Sequence, residues 1–133
     1  MTTHTTVVPR FSVAGVFLEG LAGQDFDLLA STLDGDAHLS ALVPPGLRES
    51  RGPDGIRATF ARWFGDTEDF DLVEAVVGEV GSRLHLRWRA RLRAARLGDG
   101  WFVVEQQAYA DTTADGRIAR MSLLCSGYCP DHH

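Results

Sequence analysis

Residues 83–111, RLHLRWRARLRAARLGDGWFVVEQQAYAD, carry the reading of the fold. The even positions run Leu84, Leu86, Trp88, Ala90, Leu92, Ala94. The odd positions from Arg83 to Arg93 hold five arginines and His85. Successive side chains of a strand point to opposite faces, so this alternation predicts a strand with one apolar and one cationic face. The Gly98-Asp99-Gly100 segment predicts a three-residue hairpin loop. That register sets Arg93 opposite Glu105, Arg91 opposite Gln107, Arg89 opposite Tyr109 and Arg87 opposite Asp111. On the other face it sets Leu92 opposite Gln106, Ala90 opposite Ala108 and Trp88 opposite Ala110.

Two further turns extend the hairpin into a meander. Asp115-Gly116 is a two-residue turn signal that places Asp111 opposite Arg120, Ala110 opposite Met121, Ala108 opposite Leu123 and Gln106 opposite Cys125. Gly81-Ser82 turns the preceding strand back, with Glu74 opposite Arg89 and Ala75 opposite Trp88. Three turns chosen on local chemistry agree on one pair of faces.

Upstream the period changes. Pro9 opens a helix in which Phe11, Ala14, Phe17, Leu18 and Leu21 share a face, and Gly23 stops it. Asp25 caps a shorter helix, DFDLLASTL, ended by Gly35. Ala37–Val43 reads as a short strand, and Pro44-Pro45-Gly46 breaks it. Pro53 sits just inside a third helix whose Ile56, Phe60, Trp63 and Phe64 fall on one side. Gly65 ends that helix, and the four-strand meander begins near Phe70. Helices before a run of antiparallel strands make the class α+β. The expected organisation is a loose tail over residues 1–8, one domain over residues 9–129 and a short C-terminal tail over residues 130–133.

The composition is that of a globular domain: 133 residues, 44% hydrophobic and 23% charged. A net charge of −5 speaks against nucleic acid as a partner, despite the arginines. No apolar run approaches the roughly 20 residues that span a bilayer. The opening MTTHTTVVPR has no apolar signal-peptide core, so the expected location is cytoplasmic. Cys125 and Cys129 would lie about 13 Å apart on a continuous strand, too far for a disulfide. Only a turn at Gly127 could join them, and reduced thiols are expected.

The element order, with LAGQDFDLLASTL between the first helices, Gly52, Ile56 and Phe60 at the opening of the third helix and DGRIAR entering the last strand, resembles the nuclear-transport-factor-2-like superfamily and, within it, the SnoaL-like proteins. The resemblance runs from about Pro9 to Tyr128. It implies three N-terminal helices packed in a curved, mainly antiparallel sheet, forming a cone with an internal cavity. It also implies a tendency to dimerise, expected here as a homodimer through the sheet face. Activities across that superfamily range from isomerases, cyclases, hydrolases and dehydratases to pure binding proteins, so the fold alone decides nothing. Steroid isomerases of this fold use a tyrosine and two aspartates. By the resemblance those positions fall on Phe17, Ala41 (or Val43) and Ala108, so that acid–base set is missing.

The expected function is binding of a hydrophobic small molecule in an apolar cavity. The alternative is a cyclase, isomerase or hydrolase acting on such a molecule in the cone. The candidate ligand-binding residues are Gln106, Trp88, Phe17, Trp63, Leu86, Met121 and Cys125, with Gln106 and Cys125 as the polar exceptions on an apolar face. Gln106 has two readings, a ligand-orienting amide or a partner for a local buried group. Cys125 is either functional or a small buried hydrophobe. His38 and Cys125 are the candidate catalytic groups, His38 because an imidazole titrates near neutrality. His38 could face either way from its short strand, with Asp36 as the nearest carboxylate in sequence. The arginine stripe is a solvated face neutralised by Glu74, Glu105 and Asp111, a dimer interface shared with Gln107, Tyr109 and Leu124, or an anion site. The polar segment 44–53, PPGLRESRGP, reads as a loop at the cavity mouth, with Arg48 or Arg51 meeting an acidic group. Cys129, Asp131, His132 and His133 form a weak metal-ligand set, and neither a metal nor a cofactor is expected.

Overall fold

The computed structural model describes residues 10–131. The tail over residues 1–8, Pro9, the Phe11 side chain, His132 and His133 lie outside the described residues. Helix α1 (Arg10–Ala22) buries Val13, Ala14, Phe17, Leu18 and Leu21 along one side. Its successor α2 (Phe26–Ala30) starts where the Asp25 carboxylate accepts the Leu28 backbone N–H at 3.1 Å. The two helices meet at Gly20, where a Cβ would lie 2.7 Å from the Leu29 backbone nitrogen. Helix α2 is shorter than expected because the Ser31 and Thr32 hydroxyls take the Leu28 and Leu29 carbonyls, at 2.5 and 2.7 Å.

Strand β1 accordingly begins earlier than Ala37 and covers Leu33–Val43. It turns at Pro44-Pro45 into β2 (Gly46–Arg51), which pairs antiparallel with it. The expected loop 44–53 is therefore mostly an edge strand. Its charged, unpatterned sequence hides it, yet charge is what an edge strand tolerates and uses against aggregation. Helix α3 (Gly52–Phe64) follows, burying Ile56, Thr59, Phe60 and Phe64.

The meander comprises β3 (Asp69–Val80), β4 (Arg83–Arg93), β5 (Phe102–Thr112) and β6 (Ile118–Cys125), and a short β7 (Cys129–Pro130) pairs with β5. Sheet order is β2-β1-β6-β5-β4-β3, with β1 parallel to β6. Irregularities between Leu72 and Glu74 and between Asp111 and Thr112 bend the strands, as bulges do. The result is an α+β fold of three helices held by a curved, unclosed sheet.

Two of the three expected registers hold. Glu74 lies opposite Arg89 and Ala75 opposite Trp88. Gln106 lies opposite Cys125, Ala108 opposite Leu123, Ala110 opposite Met121 and Asp111 opposite Arg120. The β4–β5 hairpin differs: Trp88 faces Gln106 rather than Ala110, and Arg89 faces Glu105 rather than Tyr109. The chain does not run straight into a Gly98–Gly100 loop. Ala95–Leu97 form a 3-10 turn, tied down by Arg96 to Asp66 at 2.9 Å and to the Trp63 carbonyl at 2.8 Å. The slip is an even number of residues, so every side chain keeps its face. In β4 the even positions from Leu84 to Leu92 are buried and the odd ones are not.

Candidate functional site

The inner end of the cone is filled. Phe17, Phe60 and Trp88 are fully buried, with Phe17 ring centres 5.6 Å from Phe60 and 5.8 Å from Trp88. Leu86 and Met121 belong to the same packed cluster. Gln106 is 2% exposed, and its Oε1 accepts the Trp88 indole N–H at 2.9 Å. Five of the sequence-derived ligand candidates, Phe17, Leu86, Trp88, Gln106 and Met121, thus sit together in the core. Trp63 and Cys125 are elsewhere, and they are brought together.

They line a cleft of about 570 Å³ at the mouth of the cone. One wall is the end of β1 and its turn, with Val43, Pro44 and Pro45. A second is the α3 side, with Thr59, Arg62 and Trp63. Leu97 of the 3-10 turn and Tyr128, just after β6, add apolar surface, and Arg48 and Ser50 come from β2. Ser50 and Arg48 are on the inner face by register, opposite buried Leu39 and Ala41. The Ser50 and Thr59 hydroxyls are 2.5 Å apart, joining the edge strand to α3.

The chain after β6 closes the cleft's side. Gly127 adopts φ +81°, and a Cβ there would lie 2.6 Å from Cγ of Pro44. Only glycine allows both the left-handed backbone and this approach. The Tyr128 hydroxyl donates to the Trp63 carbonyl at 2.6 Å, and the Arg96 guanidinium stacks over its ring at 5.0 Å. Burial pushes the Tyr128 phenol above its ordinary pKa, and Arg96 offsets part of that. The hydroxyl therefore stays a donor across the neutral range.

Cys125 and Cys129 are free thiols. The Cys125 sulfur accepts the Gly127 N–H at 3.4 Å, and the Cys129 thiol donates to the Gly127 carbonyl at 3.7 Å. His38 lies on the outer face, between inward-facing Ala37 and Leu39, and its Nε2 is 2.8 Å from the Glu49 carboxylate. Its carboxylate partner is Glu49 of the neighbouring strand rather than Asp36. Among the described residues no group of three or more His, Cys, Asp or Glu is placed to hold a metal.

The arginine stripe is paired along its length: Arg83 with Asp111, Arg87 with Glu74, Arg89 with Glu105, Arg91 with Asp131 and Arg93 with Asp69. Arg91 also lies over the Trp101 ring at 4.5 Å. Arg62, Leu97 and Tyr128 were not legible in the sequence as residues of this cleft. Arg62 lies off the apolar side of α3, and nothing local predicts that a residue beyond β6 returns to α3. Arg48 was legible, as an arginine beside a Pro-Pro break.

Known proteins share this fold. A family model described as a SnoaL-like domain matches residues 15–121. Among solved structures, Bal32a from a soil-derived mobile gene cassette aligns with TM-score 0.72 at 16% identity, covering 89% of each chain. A candidate SnoaL-like polyketide cyclase of Shewanella putrefaciens aligns with TM-score 0.70 at 12% identity, over 90% of this chain and 91% of its own. TerC, co-crystallised with polyporic acid, aligns with TM-score 0.67 at 16% identity, over 87% of this chain and 90% of its own. Comparison with the curated proteins finds no match. With most of its length covered by the family model and the cone fold in place, the chain belongs to the SnoaL-like domain family of the nuclear-transport-factor-2-like superfamily.

Proposed function

We propose that the protein binds a hydrophobic small molecule in the cleft at the mouth of the cone, through Trp63, Leu97, Tyr128 and Cys125. One observation carries the reading: the cleft of about 570 Å³, walled by apolar side chains with a few polar groups. Ligand sites are typically concavities of about 300–1,000 Å³ with that make-up. TerC, of the same fold, was crystallised with a small molecule, polyporic acid. Of the positions where the steroid isomerases resembled here would keep their acid–base groups, Phe17, Ala41 and Ala108 are fully buried apolar residues, and Val43, the alternative to Ala41, is a half-buried valine of the cleft wall. That favours a binding module over proton-abstraction chemistry.

The test is calorimetric titration with the naphthalene probes 2-naphthol and 2-naphthoate. Val43→Phe and Leu97→Phe each put a ring where the probe would lie. Binding should weaken at least tenfold in both variants, with melting temperatures within a few degrees of the parent. Probe binding that ignores both substitutions rules the cleft out.

A second reading, a cyclase, isomerase or hydrolase at the same mouth, is favoured by Cys125, a free thiol in the cleft wall. Under it a bound substrate is consumed, so polyporic acid recovered unchanged after prolonged incubation counts against it.

The reading extends to a homodimer. Leu42, Leu47, Leu124 and Tyr109 are exposed on the outer face, and Leu47, Leu42 and Leu124 form one row across β2, β1 and β6. Such an apolar row on a sheet suits a second copy. Sedimentation at micromolar concentration should give a dimer that Leu124→Glu dissociates, and a monomeric parent would end this part of the proposal. Two free thiols, one of them exposed, fit a reducing compartment such as the cytoplasm. Among the described residues no helix is long and apolar enough to cross a membrane.

A further inference from the structure

Seven arginines among the described residues hold a carboxylate: Arg57, Arg83, Arg87, Arg89, Arg91, Arg93 and Arg96. Arg48 and Arg62, which line the cleft, do not, and among the described residues neither do Arg51, Arg117 and Arg120. Arg48 donates only to the adjacent Leu47 carbonyl, at 3.1 Å, and Arg62 only to the Thr59 hydroxyl, at 3.4 Å. Each guanidinium carries five N–H donors, so most of their capacity is unspent on protein partners. The carboxylate of the cleft lining, Glu49, is engaged by His38 at 2.8 Å.

The protein carries a net charge of −5 and uses its acids to neutralise the stripe on the outer face. The cleft runs the other way: two guanidiniums against one carboxylate leave +2 − 1 = +1. We infer that the cleft, if it is the binding site argued above, takes an apolar monocarboxylic acid, its ring or chain against Trp63, Leu97 and Tyr128 and its carboxylate between Arg48 and Arg62. A planar guanidinium matches a carboxylate with two parallel hydrogen bonds. One negative charge neutralises the site, whereas a phosphate dianion overshoots it. Ser50, Thr59 and Ser126 supply the other hydroxyls of the lining, and the Thr59 hydroxyl already donates to the Gly55 carbonyl at 3.1 Å.

The experiment compares 2-naphthoate, 2-naphthamide and 2-naphthyl phosphate by calorimetry. The parent should bind the carboxylate at least tenfold more tightly than the amide and more tightly than the phosphate. Arg48→Gln and Arg62→Gln should each remove most of the acid–amide gap with little effect on the amide. Arg51→Gln, on the outer face opposite His38, is the control and should keep the gap. Equal binding of acid and amide, or a gap that survives both substitutions, overturns the inference and leaves the binding site standing. Tighter binding of the phosphate overturns the choice of carboxylate. No binding of any probe removes the inference together with the site.

Discussion

Gln106 lies in the packed interior, and its amide oxygen is the acceptor for the Trp88 indole N–H. An indole N–H buried without an acceptor loses its hydration and gains nothing in return. Gln106→Leu should therefore cost about 1–3 kcal/mol, read as a melting temperature lower by several degrees. Binding at the cleft should be unchanged. A variant as stable as the parent would show that the bond contributes nothing. The position was legible as special, being the one amide on an apolar face of β5, but its bond to Trp88 was not. That bond depended on the β4–β5 register, which brings Gln106 opposite Trp88 rather than opposite Leu92. Opposite leucine the amide oxygen would have no partner; opposite the indole it accepts a hydrogen bond.

At the scale of elements, strands with strong local signals were readable and those without were not. Gly81-Ser82 predicted its register because the turn is short and leaves no slack, and Asp115-Gly116 predicted the β5–β6 pairs even though the ladder shifts by one between Asp111 and Thr112. Ala95–Leu97 escaped because its turn is held by distant partners, Asp66 and the Trp63 carbonyl, that no local pattern announces. Strand β2 escaped because an edge strand of Leu47, Arg48, Glu49, Ser50 and Arg51 has no buried face to pattern. The segment after β6 is pinned by Tyr128, and this makes a pH prediction. Burial raises the phenol's pKa in the folded state, so its contribution is full below the ordinary value of 10.0 and is lost as pH rises through the raised one. Tyr128→Phe removes the hydroxyl's bond to the Trp63 carbonyl. In denaturant unfolding from pH 7 to 11, the parent should exceed the variant by a constant margin at neutral pH, and the margin should shrink in the alkaline arm. A margin independent of pH would mean that the hydroxyl does not hold this segment.

For the whole molecule, the two faces of the sheet were readable because alternation survives an even slip in register, and the inner one is the core. The mouth cleft was not, since its walls come from β1, β2, α3, the 3-10 turn and the chain beyond β6, and only the closed fold brings them together. Under the proposed function, ligands meet this mouth and not the filled interior. The three tryptophans divide the molecule accordingly: Trp63 in the cleft, Trp88 in the core bonded to Gln106, Trp101 under Arg91. Their indole N–H signals in a proton–nitrogen correlation spectrum, followed while 2-naphthoate is added, report the three places at once. The Trp63 signal should move to saturation while those of Trp88 and Trp101 stay in place. Movement of Trp88 with Trp63 unmoved would put the ligand inside the cone and contradict the proposed function.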